Sequence, residues 1–262
     1  MLTSVYLKTL HDLRGLILTW GIGLAALAAI NVILFPTFQQ LPDMIGFLKN
    51  LPPAFQSLLG NLDAVLTMDG FLKLKIFDSQ PMIFSIFGIS QGARALTGEL
   101  EYKTCDLLLS QPIRRWRIVA EKYLAVITAL FLVAILMAAG MLVSCAAVGA
   151  SANTKYLIAA TLNGLPLSFL FTALALLGSC ALASSRRAAI LAGSVMASFY
   201  IFETLLMIRP DLARWRAISL FAHHRDGVDF SGHLSLTPFV VFLAATLALV
   251  AAGAMVYERR NL

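Results

Sequence analysis

A short list of residue types can do chemistry, and their spacing decides whether they do. Gly88-Ile89-Ser90-Gln91-Gly92 matches G-x-S-x-G, the pattern of a hydrolase nucleophile elbow. An elbow needs a strand-to-helix turn that exposes its serine. Here the pentapeptide sits inside an apolar run, where two glycines at this spacing instead let helices pack closely. No H-E-x-x-H zinc-protease motif is present, and no G-x-x-x-x-G-K-[ST] phosphate loop. The chain is therefore not expected to hydrolyse ATP by itself. Cys105, Cys145 and Cys180 fit neither a zinc site nor a redox pair. His223, His224 and His233 share one hydrophilic segment without a complete ligand set, so they read as solvated loop residues.

Glu203 stands out, because it lies within the apolar run Ser198-Phe-Tyr-Ile-Phe-Glu203. An ionisable group at membrane depth costs several kcal/mol and marks a functional candidate. Two readings stay open. Glu203 faces a pathway, with Phe199, Tyr200 and Phe202 around it, and meets a cationic or polar group. Alternatively, it lies near the outer interface or pairs with Arg209.

The elements that position these residues follow from composition. Of 262 residues, 59% are hydrophobic and 13% charged, with mean hydropathy +0.83. Soluble domains carry about 25% charged residues, so lipid is the solvent that fits. The net charge of +6 comes from basic residues between apolar runs, not from a nucleic-acid-binding stripe. The predicted fold is all-α, a polytopic membrane helix bundle read as one domain over 1–262. Six spans are expected near 15–35, 80–98, 119–149, 156–183, 188–208 and 237–257, with outer loops near 36–79 and 209–236. The fourth holds Asn163, Gly164 and Pro166, and a kink is expected there. The first run is too long for a signal-peptide core and reads as a retained span.

With both termini in the cytoplasm, 12 of the 20 Lys and Arg fall in inner segments, the orientation that positive charge favours. Phe55, Leu58, Leu59, Leu62, Val65 and Leu66 recur at helical spacing after Pro52 and Pro53, predicting an amphipathic helix in the first outer loop. Small residues four apart (Ala189 and Gly193, Ser194 and Ser198, Cys145 and Gly149) suit close helix packing.

The densest signal is Leu96 to Lys122, LTGELEYKTCDLLLSQPIRRWRIVAEK. Thr104 can cap a short helix, with Asp106 near the positive end of its dipole. Pro112 ends it, and a second amphipathic helix leads into span three. Basic juxtamembrane loops meet anionic lipid, which accounts for Arg114, Arg115 and Arg117. Leu107, Leu108 and Leu109 between acids and a proline turn still need a burial place, either the inner leaflet or a partner's groove.

This stretch resembles the cytoplasmic segment of the ATP-binding-cassette (ABC) type-2 transporter permeases. The matching residues are Glu99 and Glu101, Thr104, Leu107 to Leu109, Ser110 and Pro112, Arg114 or Arg115, and Lys122. The six-span layout and the SSRRAA stretch from Ser184 to Ala189 match as well. The resemblance implies a permease subunit of an ATP-driven transporter in the cell inner (plasma) membrane, most often an exporter. It implies a second permease copy, in a homodimer or heterodimer, and ABC ATPase subunits docked on a coupling helix near 99–118. No cofactor would then be bound by this chain, and ATP and Mg would sit on the partner ATPase. The rival classes are a stand-alone channel or secondary transporter, a membrane enzyme, and a non-transporting membrane scaffold subunit. The first often shows several intramembrane charges and internal repeats, and the second needs converging polar groups at membrane depth. Neither feature is visible here.

Overall fold

The structure, a computed structural model, describes residues 4–40, 46, 50–52, 56, 62–101, 114–182 and 184–259. Its described residues are helical apart from turns and one isolated antiparallel bridge, Val228 with Leu234. The long helices are α1 (Val5–Gln39), α4 (Gln80–Glu101), α5 (Arg115–Val148), α6 (Thr154–Ala181), α7 (Ser185–Ile208) and α9 (Leu236–Glu258). Short elements join them: α2 (Leu62–Val65), α3 (Met68–Leu72), a π-helical turn at Lys73–Phe77, a 3-10 helix at Pro210–Ile218, and α8 (Leu220–Arg225).

Side-chain caps set several starts. Ser4 Oγ accepts the Leu7 amide at 3.2 Å, and Asn153 Oδ1 accepts the Lys155 and Tyr156 amides at 3.1 and 3.4 Å. Gly149, at φ +66°, closes α5 in the left-handed region that glycine adopts without strain. The small-residue expectation therefore fails at this position, where glycine serves a helix end. It fails on α7 too. Gly193 has open space where a Cβ would point, and Ser194 and Ser198 are exposed, donating back to their own helix.

Five helices are long and apolar enough to cross a membrane: α1, α5, α6, α7 and α9. The second expected span, 80–98, is the helix α4 but is not among the five. The reason lies in its neighbours. α4 packs along α6 and buries Phe84, Phe87, Ile89, Ala93 and Leu96, so it need not be greasy all round, and Ser85, Gln91, Arg94 and Glu99 dilute its hydropathy. α6 is the central helix, with 78% of its apolar window buried against 17–39% for the other four. The outer helices α1, α7 and α9 turn Ile22, Ile30, Ile33, Ile190, Ile201, Val240 and Leu247 outward, as a lipid-facing surface requires. α5 has 34 residues, about 51 Å of helix, and exceeds a hydrocarbon core of about 30 Å.

The helices alternate in direction. Val5, Leu96, Ile118, Cys180 and Tyr257 share one apolar cluster, which puts both described chain ends, the end of α4, the start of α5 and the end of α6 together. Phe35, Phe71, Phe77 and Tyr156 share a cluster at the other end.

Glycines bring the helices close. A Cβ on Gly140 of α5 would lie 2.6 Å from the Ala25 Cβ of α1, and one on Gly92 of α4 would lie 2.7 Å from the Thr172 carbonyl oxygen of α6. The G-x-S-x-G stretch is thus a packing seam. Ser90 Oγ donates to the Phe87 carbonyl at 2.8 Å, within its own helix. α6 stays helical on both sides of Pro166.

Candidate functional site

Two regions bear on function. At the end carrying the chain termini, the predicted coupling residues Thr104, Leu107, Leu108, Leu109 and Pro112 lie outside the described residues. Those flanking them are placed. Glu99 and Glu101 fall in the last turn of α4, and Arg114 is the exposed cap residue of α5. The first turns of α5 are tied down on both sides. Arg117 pairs with Glu121 at 2.7 Å, and Glu121 accepts the Tyr6 amide at 3.1 Å, satisfying an otherwise open donor at the start of α1. Lys122 is buried and donates to the Ala95 carbonyl of α4. The helix predicted over the first outer loop lies mostly outside the described residues. Its last turn is α2, with Val65 buried.

At the opposite end, α7, α8 and the π-helical turn enclose a chamber of about 290 Å³. Its walls include Asp78, Tyr200, Glu203, Phe221, His224 and Arg225. Of the four candidate pathway residues, Tyr200 and Glu203 line it. Phe199 packs in the apolar cluster of α6 and α7, and Phe202 is half-buried elsewhere. Glu203 is 6% exposed. It does not pair with Arg209, whose guanidinium holds Asp211 through two bonds of 3.0 and 2.9 Å. Two residues of sequence separation let that fork close locally, and it keeps the Asp211 carboxyl below its ordinary range. Glu203 instead accepts the Ser219 hydroxyl at 2.6 Å and faces Arg225 at 4.0 Å. Ser219 Oγ also accepts the Ala222 amide at 3.2 Å, so one hydroxyl caps α8 and anchors the buried carboxylate. Arg225 reaches Asp78 at 3.5 Å on its other side and contacts the Met207 sulfur.

His224 is buried, against the expectation of a solvated loop histidine. His223 and His233 are exposed. The burial has a backbone cause. Pro81 has no N–H to offer the Phe77 carbonyl four residues earlier, and His224 Nε2 lies 3.3 Å from that oxygen. Asn163 Nδ2 lies 3.1 Å from His224 Nδ1 and donates to the His224 carbonyl at 2.7 Å. A neutral ring with its proton on Nε2 donates to the Phe77 carbonyl and accepts from Asn163 Nδ2, while its Nδ1 also lies 3.2 Å from the Asn163 carbonyl oxygen. Burial pushes the His224 pKa down. Thus Asn163 of the α6 proline region, the π-helical turn and α8 are pinned at one point.

The sequence reading missed Ser219 and Arg225 as partners of Glu203, Asp78 as the second carboxylate on Arg225, and the Asn163–His224 contact beside them. Asp78 and Arg225 are opposite charges in the two predicted outer loops, at the same predicted end, which was the available signal. Among the described residues, no three His, Cys, Asp or Glu side chains gather as metal ligands.

The chain matches the family described as ABC-2 family transporter protein over residues 26–262.

It belongs to that family. It is a multi-pass membrane protein and the membrane permease component of an ABC transporter. Permeases of this family are transport components, typically without an ATPase site of their own, and the family implies partnership with ABC ATPase subunits. No curated protein matches the chain in sequence.

Proposed function

We propose that this chain is the transmembrane half of an ABC exporter, working as a pair of permease copies driven by separate ATPase subunits. All 262 residues act as one domain with six spans, α4 joining the five apolar helices as the second, in the cell inner membrane with both termini cytoplasmic. ATP and Mg bind the partner ATPase, and no cofactor binds here. The segment 99–118 is the coupling contact, through Glu99, Glu101, Thr104, Leu107 to Leu109, Pro112 and Arg114.

One observation carries the reading beyond the family match. The ends of α4 and α6 and the start of α5 lie at the same end as both described chain ends. The 102–113 connection therefore leaves and re-enters the bundle where the positive-charge bias puts the cytoplasm. A partner that closes on binding ATP can push there on α4 and α5 together. ATP shifts the permease only if it favours one of its two states.

The test is purification of the tagged chain from its native membranes. A stoichiometric soluble partner bearing a phosphate loop, lost on Leu108→Ala or Glu101→Lys while the chain stays inserted, is the expected result. Full transport by the chain alone, without ATP, would overturn the reading in favour of a channel or secondary transporter.

A further inference from the structure

The chamber at the far end of the bundle has the chemistry of a cation site whose cation position is already filled. Two carboxylates from separate elements, Asp78 after the π-helical turn and Glu203 in α7, converge on one guanidinium. The separations of 3.5 and 4.0 Å exceed the roughly 2.7–2.9 Å of a charge-assisted hydrogen bond. Arg225 is therefore loosely held by the carboxylates, touches the Met207 sulfur, and keeps its side chain 24% exposed, leaving it a way out toward solvent. Counting formal charges, two carboxylates against one guanidinium leave the chamber at −1, with burial disfavouring a charge on His224.

The remaining walls suit an organic cation. Tyr200 and Phe221 meet edge to face at 5.4 Å and both line the chamber. Aromatic faces attract ammonium groups. The volume of about 290 Å³ lies at the lower end of small-molecule pockets. A void of about 10 Å³, near the size of one water, adjoins it and shares Asp78, His224 and Arg225 as walls. Tyr156 lines that void, and its buried hydroxyl finds no hydrogen-bond partner among the described residues. Lys73 also lines this smaller void but lies over the Phe230 ring at 5.3 Å.

We propose that this chamber binds a small primary amine with an apolar body, and that Arg225 is a tethered cation occupying the ammonium position while the site is empty. The incoming ammonium donates to Asp78 and Glu203, its apolar part lies against Tyr200 and Phe221, and Arg225 swings outward. An anion would have to displace the guanidinium and then face both carboxylates. That the bound amine is cargo rests on the permease reading; the binding does not.

The experiment is calorimetric titration of the full chain in lipid nanodiscs with benzylammonium, with benzyl alcohol as the neutral counterpart. Arg225→Gln should bind benzylammonium at least about tenfold more tightly than wild type, and Glu203→Gln at least about tenfold more weakly, each near one charge-assisted contact. Benzyl alcohol should not distinguish the three proteins. Equal benzylammonium affinity in wild type and Arg225→Gln, or the same ranking for benzyl alcohol, overturns the proposal. Should Arg225→Gln fail to fold, unchanged affinity in Glu203→Gln overturns it equally. Co-purification of the ATPase does not involve the chamber, so the two readings fail separately.

Discussion

At the scale of single residues, buried polar groups are held by partners far away in sequence. Glu203 is buried because Ser219, sixteen positions on, donates to it. Glu203→Leu removes one member of a buried charge set and leaves Arg225 facing Asp78 alone, which should cost about 3 kcal/mol. Glu203→Gln keeps a hydrogen-bonding group beside Ser219 and should cost about 1 kcal/mol. Unfolding of the purified protein followed by circular dichroism checks both. For His224 the sign follows from its lowered pKa. The unfolded chain binds the proton more readily, so the neutral ring's stabilisation is complete above its unfolded pKa of about 6.5 and is lost as pH falls below it. The melting temperature should drop between pH 6.5 and 5 in wild type and less so in His224→Gln. Asp69, whose pKa burial raises, works in the opposite sense, and it is common to both proteins. Equal pH profiles would remove His224 from the pin.

At the scale of elements, helix pairs are set by glycines facing backbone. Gly92→Val drives a side chain into the Thr172 carbonyl of α6 and should destabilise by about 2 kcal/mol or more. Gly140→Leu should do the same between α5 and α1. Gly23, with nothing within 4 Å, is the control, and Gly23→Ala should change stability little. Ser90→Ala should stay within about 0.5 kcal/mol, since Ser90 bonds only within the described part of its own helix and next to Gln91. Thermal unfolding in one detergent ranks the four. The positions of α1, α5, α6, α7 and α9 were legible in the sequence because long apolar runs admit no other structure in lipid. Their ends were less so. α1 starts at Val5, where Ser4 caps it, not near residue 15. The early turns, polar on one side, continue a helix already started without adding to its apolar signal.

At the scale of the whole molecule, the alternation of six helices predicts which segments share a side. Single cysteines placed at Ser4, Ser184 and Arg259 should label from one face of intact membranes, and one at Ser231 from the other. Labelling of Ser231 together with Ser4 would break the antiparallel arrangement. Composition and apolar run lengths alone determined an all-α membrane bundle and where its helices lie, because hydrocarbon penalises every unpaired backbone group. The motif around Glu99 to Pro112 and the layout together carried the family resemblance. Only the tertiary structure decided which polar residues meet. It brings Asp78, Glu203, His224 and Arg225 into the walls of one chamber, with Ser219 bonded to Glu203 and Asn163 to His224 behind them. Burial of a charge depends on what folds back over it, and α8 folds back through a carbonyl that a proline elsewhere has left open. No periodicity along the chain encodes that contact.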